Sequence, residues 1–78
     1  MKGLLSDRER EVAVLVAEGL KDIEISKELF ISRRRVGEII SSIKRKLNIT
    51  SRVQIGIAAY SLGLITFQLD FQLEHNFG

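Results

Sequence analysis

The segment from Phe30 to Leu47 constrains the fold most, because its apolar residues recur at the spacing of an α-helix. At about 100° per residue, one narrow face of such a helix collects Val36, Ile40, Ile43 and Leu47. The opposite face is polar and carries Arg34, Glu38, Ser41, Ser42 and Arg45. Ser32 is placed to cap the N-terminus. The pattern therefore predicts a helix over about residues 33–47, buried on one side and presented to an anionic partner on the other.

Basic charge is concentrated in and just after this helix. Between Ser32 and Arg52, seven basic residues stand against one acid, a local charge of +6, whereas the rest of the chain carries −4. Such a block indicates a polyanionic partner more strongly than the net charge of +2 does. The alternative is a solvated helix face that is merely rich in lysine and arginine.

Three further helices are predicted around the basic one. Ser6 and Glu9 form a capping-box pattern that starts the first helix, and Gly19 ends it. The second helix is short and turns sharply into the third, the arrangement of a helix-turn-helix motif. Phe30 and Ile31, at this corner, are expected to tuck into the core. The four predicted helices span about residues 7–18, 21–29, 33–47 and 51–62.

The same periodicity predicts which side chains form the core: Val12, Leu15, Val16, Ile25, Leu29, Ile31, Val36, Ile40, Ile43, Leu47, Ile55 and Ala59. In the second helix, Ile23 should also make apolar contacts, while Ser26 and Glu28 should lie near the surface. An ion pair such as Glu11–Arg52 would tie the first helix to the fourth and make Arg52 structural.

The fourth helix is apolar on two sides. Ile55, Ala59 and Leu62 lie on one side, and the nearly opposite side carries Val53, Ile57, Tyr60 and Leu64. A domain of 78 residues has little interior to spare, so the second side is a candidate dimer interface. The alternative is that both sides pack into one core.

The chain divides into a helical domain, residues 1–65, and a C-terminal extension, residues 66–78. In the extension, apolar and polar residues alternate with a period of two, which is typical of a strand. An extended arm and a disordered segment are the alternatives. The overall prediction is an all-α fold of four helices.

Several classes of function are excluded by composition. The chain has no cysteine and one histidine, His75, so neither a disulfide framework nor a zinc or nucleophile–base site can be assembled. No run approaches the roughly 20 apolar residues of a membrane span. No leader pattern follows Met1. We therefore expect no enzyme activity, metal, cofactor or small-molecule ligand, no membrane partner, and a cytoplasmic, nucleoid-associated location.

A set of spaced residues carries a family resemblance, and it includes Arg8-Glu9-Arg10-Glu11-Val12, Glu18-Gly19, Glu24-Ile25, Ile31-Ser32, Lys46-Leu47, Ser51-Arg52 and Gly63-Leu64-Ile65. Through them the stretch from Leu5 to Ile65 resembles the LuxR/NarL-type (GerE-like) DNA-binding domain of bacterial transcription regulators. The resemblance implies a helix-turn-helix fold whose third helix is the recognition helix. The third helix departs from the family pattern at Arg35, Gly37, Glu38 and Ile39. Its start is also similar to the recognition helix of sigma factor region 4.

The candidate DNA-contacting residues follow from the polar face and from the resemblance. The base-facing set is Arg34, Gly37, Glu38, Ser41 and Ser42, where Gly37 is included by resemblance. Arginine can donate to guanine O6 and N7, and Glu38 can accept from a cytosine amino group, unless Arg34 and Glu38 simply pair with each other. The phosphate-facing set is Lys21, Ser32, Arg33, Arg35, Lys44, Arg45 and Lys46.

Three functions remain open. The first is a regulator that binds double-stranded DNA as a homodimer through its fourth helix, with RNA polymerase as a further candidate partner. The second is a protein-interaction module that has kept the fold and lost base readout, as Gly37 and Glu38 would suggest. The third is a promoter-binding module like sigma region 4, which the fourth helix disfavours.

Overall fold

Four α-helices make up the part of the chain that the computed structural model describes, residues 4–65. They are α1 (Asp7–Ala17), α2 (Asp22–Leu29), α3 (Arg33–Leu47) and α4 (Arg52–Ser61). Within these residues there is no strand. The prediction of an all-α, four-helix fold is confirmed, with each boundary within one residue of the expected one. The strand-like pattern of residues 66–78 lies outside the described residues.

Three of the helices begin where a serine side chain caps them, as predicted. The Ser6 hydroxyl accepts a hydrogen bond from the Glu9 amide at 3.1 Å, and the Glu9 carboxylate accepts one from the Ser6 amide at 2.8 Å. Ser32 accepts from the amide of Arg35 at 3.0 Å, and Ser51 accepts from that of Gln54 at 3.2 Å. Such caps contribute about 1 kcal/mol each, so the starts of α1, α3 and α4 are determined locally.

All four helices end in the same way, with one residue in the left-handed region and an apolar residue after it. The left-handed residues are Gly19 (φ 95°), Phe30 (φ 58°), Asn48 (φ 58°) and Gly63 (φ 76°). The following amide donates to a carbonyl five residues earlier in each case, at 2.9–3.1 Å. This is the Schellman arrangement. It turns the apolar residues Leu20, Ile31, Ile49 and Leu64 back onto the core.

This ending explains why one expectation at the corner before α3 was wrong. Ile31 packs against the core as predicted, but Phe30 is 93% exposed. Phe30 holds the left-handed position, from which its side chain points away from the domain. At the end of α4, Leu62, which was placed on the same side of the helix as Ile55 and Ala59, is exposed, and Leu64, beyond Gly63, packs against the core.

The core lies where α1 packs against α3 and α4 and where α2 packs against α3. Eight of the twelve predicted core residues are buried, and the other four, Leu15, Leu29, Ile31 and Leu47, are half-buried against them. The prediction missed Leu5, Ala13 and Ile39, which are also buried. Ile39 widens the apolar face of α3 beyond the narrow stripe that the sequence suggested.

Two side chains of the second helix differ from their predicted exposure, although Ile25 and Leu29 face the core as expected. Ser26 is buried and Ile23 is 41% exposed, the reverse of what we expected, whereas Glu28 is exposed as predicted. Ser26 can be buried because its hydroxyl donates to the carbonyl of Ile23 at 2.8 Å. A satisfied hydroxyl avoids most of the cost of leaving water, so the small side chain can lie inside.

The ion pair that holds the start of α4 differs from the predicted Glu11–Arg52 pair. Arg52 donates to the carboxylate of Asp22 and to the carbonyl of Leu20, both at 2.7 Å. Glu11 pairs instead with Arg8 of its own helix at 3.3 Å. The structural role of Arg52 is therefore confirmed with a different partner, and it joins α4 to the start of α2 rather than to α1.

Candidate nucleic-acid interface

The solvent side of α3 forms a continuous polar surface, which we call the outer strip: Arg34, Gly37, Glu38, Ser41 and Arg45. Each of these residues lies three or four positions from another member of the set, so they share one side of the helix. All but the half-buried Gly37 are exposed. The buried side of the same helix, formed by Val36, Ile39, Ile40 and Ile43, fixes the direction in which the outer strip points.

Within the outer strip, one carboxylate lies between two guanidinium groups. An oxygen of Glu38 is 3.7 Å from Nε of Arg34, and the other is 3.4 Å from Nη1 of Arg35. The Arg34 side chain is 90% exposed, and the other two are more than half exposed. Exposed pairs of this kind contribute only a few tenths of a kcal/mol, so an external anion can compete for both arginines.

Gly37 leaves a gap in the middle of the outer strip. A Cβ atom built on Gly37 would meet no atom within 4 Å outside its own helix. No neighbouring element therefore requires a glycine there. Glycine in a helix interior lowers stability by about 0.5–1 kcal/mol relative to alanine. Packing within the domain does not explain why a glycine stands at this position. The gap lets another molecule approach the helix backbone beside Glu38.

Basic residues are concentrated at both ends of α3, within the outer strip and beside it. Arg33, Arg34 and Arg35 occupy the first turn, behind the Ser32 cap, and Lys44 and Arg45 lie in the last turns. The clusters are separated by about 16 Å at 1.5 Å per residue. The only acid of α3, Glu38, lies between them. The two basic ends of α3 and its mixed-charge centre match the major groove of DNA, which has phosphates along both edges and base edges at its floor.

The other polar edge of α3, which we call the inner strip, consists of Ser42 and Lys46. Ser42 donates to one oxygen of Glu9 at 2.6 Å, and Lys46 donates to the other at 2.9 Å. Ser42 had been predicted to face bases and Lys46 to face phosphate, but the structure directs both toward α1. The outer and inner strips therefore have different partners although they lie on one helix.

Glu9 has a long-range role in positioning α3 that the sequence analysis, which identified it only as a capping residue, missed. It is 7% exposed, and its pKa is lowered from 4.5 to about 2. The largest cause is the hydrogen bond from Ser42; burial opposes it by raising the pKa, and Lys46 and the Ser6 amide lower it further. Its capping role was visible locally, but the contacts to α3 join residues more than 30 positions apart, which no local pattern shows.

The remaining predicted phosphate contacts lie outside the outer strip. Lys21 is exposed just before α2, where its amide donates to Glu24 at 2.7 Å. Ser32 and Arg33 are exposed at the start of α3. The structure thus brings Ser32, Arg33, Arg34 and Arg35 together around one helix N-terminus, whose free amides add a favourable site for anions.

A second exposed surface lies on α4, on the side away from the core. Val53, Ile57 and Tyr60 are 73%, 59% and 58% exposed, and we call them the α4 apolar face. They border an open groove of about 330 Å³ that is also lined by Ala17, Gly56 and Ile65. Leu64, predicted for the same face, packs against the core instead. The alternative that both sides of α4 are buried is therefore wrong for these residues.

Residues 4–65 contain no group of three or more potential metal ligands among histidine, cysteine, aspartate and glutamate. In the same range, no helix combines the length and the apolar character needed to cross a membrane.

A short helix, a tight corner and a longer basic helix with an exposed polar face define a helix-turn-helix domain. The family model for bacterial regulatory proteins of the luxR family matches residues 3–59. This chain belongs to that family, and the predicted resemblance is confirmed.

Individual relatives agree with this assignment. The chain is 39% identical to the spore germination protein GerE of Bacillus subtilis over 62 residues, 80% of this chain and 84% of GerE. It is 38% identical to the transcriptional regulatory protein LiaR of Bacillus subtilis over 61 residues, 78% of this chain and 29% of LiaR. It is 36% identical to the bialaphos biosynthetic pathway regulatory protein of Streptomyces hygroscopicus, over 78% of this chain and 24% of that protein.

Several relatives are much longer than this chain. The matched region spans 6% of the length of an HTH-type transcriptional regulator of Mycobacterium bovis, to which it is 43% identical over 53 residues, 68% of this chain. The likeness to such proteins concerns the helix-turn-helix domain.

Proposed function

We propose that this chain acts as the DNA-binding domain of a bacterial transcription regulator and places the outer strip of α3 in the major groove. The observation that carries the proposal is the charge pattern of α3, with basic residues at both ends, a mixed centre, and exposed side chains at Arg34, Glu38, Ser41 and Arg45. A major groove about 12 Å wide accepts one α-helix. The regulatory role is supported by family membership and by the similarity to regulators such as the transcriptional regulatory protein LiaR.

Base readout is assigned to the centre of the outer strip. Arg34 donates to guanine O6 and N7, Glu38 accepts from an exocyclic amino group, and Ser41 can serve as donor or acceptor. Gly37 provides room for the approach. Ser42, predicted for the same role, is left out because its hydroxyl is occupied by Glu9.

Phosphate binding is assigned to the two ends of α3 and to the residue before α2. The proposed set is Lys21, Ser32, Arg33, Arg35, Lys44 and Arg45. Lys46 is left out because its ammonium group pairs with Glu9. Contacts of this kind orient the domain on the duplex and supply most of the sequence-independent affinity.

The test is the salt dependence of binding to a random-sequence duplex, followed by fluorescence anisotropy between about 50 and 200 mM salt. The slope of log affinity against log salt should be steep, and Arg45→Gln should reduce it by about 0.9. Arg8→Gln, the same charge change on α1, is the matched control and should leave the slope unchanged. Absence of binding at low salt would contradict the proposal and favour a protein-interaction module.

We further propose that two copies associate through the α4 apolar face. Val53, Ile57 and Tyr60 surround a groove that a second copy of the same face can fill, as in a two-fold isologous interface. A two-fold pair would present two recognition helices to a two-fold DNA site. The support is the exposure of three large apolar side chains on one side of one helix.

Sedimentation over a range of protein concentrations tests the dimer. The wild-type protein should self-associate, and Val53→Asp or Tyr60→Asp should abolish this association. Phe30→Asp is the control, because Phe30 is an exposed apolar residue away from α4. A protein that remains monomeric both alone and on DNA would rule out the interface.

A further inference from the structure

We propose that Glu38 is a specificity-determining residue that opposes binding of the recognition helix to DNA of arbitrary sequence. Glu38 forms ion pairs with Arg34 and Arg35, and its carboxylate repels phosphates. Both effects weaken DNA binding, and they are offset only where the base edges present amino donors to the carboxylate. The proposal rests on the proposed function and concerns the one acidic residue of α3.

In the structure Glu38 pairs with both Arg34, which is assigned to a base edge, and Arg35, which is assigned to a phosphate. Its carboxylate reaches Arg34 and Arg35 with separate oxygens, at 3.7 and 3.4 Å. Arg34 is four residues before Glu38 and Arg35 is three before it, so both pairs form within the helix without distorting it. An arginine that binds DNA gives up part of this weak, exposed pairing.

Placement in the groove makes the same carboxylate a source of repulsion. Duplex DNA carries one negative charge per roughly 1.7 Å of its axis. Glu38 is the single acid in the 15 residues of α3, and it lies between the two basic ends. Any docking of α3 therefore brings this carboxylate close to the bases and phosphates, whatever the DNA sequence.

Only some base edges can compensate for this repulsion. In the major groove, the cytosine N4 and adenine N6 amino groups are donors, whereas guanine O6 and thymine O4 are acceptors. A carboxylate accepts hydrogen bonds and donates none. The gap at Gly37, where no other element comes within 4 Å of a built Cβ, lets a base edge reach Glu38 from the side. Glu38 therefore favours sites with a cytosine or adenine at its position.

The experiment compares wild type with Glu38→Gln on two duplexes: a random sequence, and a sequence selected by the wild-type protein from a random pool. Glutamine keeps the shape and removes the charge. We expect the affinity of Glu38→Gln for random duplex to rise by up to roughly tenfold at about 0.1 M salt, the effect of one phosphate-equivalent charge. The ratio of selected to random affinity should fall. Glu18→Gln, an equal charge change at the end of α1, should alter both affinities less.

The outcomes separate this proposal from the proposed function. If the wild type binds duplex DNA but Glu38→Gln gains no affinity for random duplex beyond Glu18→Gln, the role of Glu38 is overturned and DNA binding stands. If neither wild type nor Glu38→Gln binds any duplex at low salt, both proposals are overturned. Because Glu38 is more than half exposed, thermal unfolding should show that both variants fold.

Discussion

The two polar edges of α3 carry similar side chains but have different partners. The inner strip, Ser42 and Lys46, donates both of its hydrogen bonds to a carboxylate that belongs to α1 and is 7% exposed. The outer strip meets no partner from another helix in the described residues, and its ion pairs are internal to α3. Neighbouring serines, Ser41 and Ser42, therefore belong to two surfaces with different roles.

This difference shows how a short helix can serve folding and recognition at once. A buried carboxylate loses its hydration, so removing its donors is costly, and the inner strip fixes α3 against α1. Weak exposed pairs cost little to break, so the outer strip can exchange its partners for DNA. Substitutions should therefore affect stability along the inner strip and binding along the outer strip.

The largest effect on stability is expected at Glu9. Glu9→Ala removes the acceptor of Ser42 and Lys46 and half of the α1 capping box, so the free energy of unfolding should fall by about 3–4 kcal/mol. The measurement is urea unfolding followed by circular dichroism.

Glu11→Ala provides the matched control, because Glu11 is an exposed glutamate on the same helix and, among residues 4–65, pairs only with Arg8. It should change the free energy of unfolding by no more than about 0.5 kcal/mol. Equal losses in the two variants would mean that the buried contacts to α3 add nothing beyond an ordinary surface glutamate.

Acid should weaken the inner strip in a defined pH range. The folded-state pKa of Glu9 is lowered to about 2 from 4.5, so its stabilisation is complete above about pH 4.5 and is lost as the pH falls toward 2. The expected loss is about 2–3 kcal/mol. Unfolding measured at several pH values should show this decline, and Glu9→Gln should flatten it. Identical pH profiles for the two proteins would assign the acid sensitivity to other groups.

The two adjacent serines give the most direct comparison of the strips. Ser42→Ala removes a hydrogen bond to a charged acceptor and should lower the free energy of unfolding by about 1.5–2 kcal/mol. Ser41→Ala removes an exposed hydroxyl with no described partner and should change it by less than about 0.5 kcal/mol. Thermal and urea unfolding of Ser42→Ala and Ser41→Ala measure the two changes in the free energy of unfolding. Similar losses would mean that the two strips are not distinct.

Much of this architecture could be predicted from the sequence because its causes are local. Serine caps at Ser6, Ser32 and Ser51 and the helical period of apolar residues depend on neighbours within a few positions, and they placed the four helices correctly. The polar side of α3 followed from the same period. What failed was the exposure of single side chains beside the core-facing residues, such as Ser26 and Ile23, because their burial depends on how the helices pack.

The long-range part of the site was not predictable in this way. Glu9 contacts α3 only after the chain has folded, so the sequence pattern around it indicated a helix cap and nothing more.

Phe30 was mispredicted for a different reason. Glycine or asparagine marks the left-handed ending of the other three helices, and a phenylalanine gives no such signal. Its apolar character predicted burial, whereas its backbone conformation determined exposure.

The smallest expected effect has the opposite sign and concerns the gap in the outer strip. Gly37→Ala places a methyl group where no atom of another element lies within 4 Å, so helix propensity alone should raise the free energy of unfolding by about 0.5–1 kcal/mol. Gly63→Ala is the contrasting control, because Gly63 has a φ of 76° and alanine there should destabilise by about 1 kcal/mol. A loss of stability in Gly37→Ala would mean that the outer strip is packed within the domain. If Gly37→Ala unfolds with a higher free energy and binds DNA more weakly, the glycine allows DNA to approach the helix and lowers the stability of the domain.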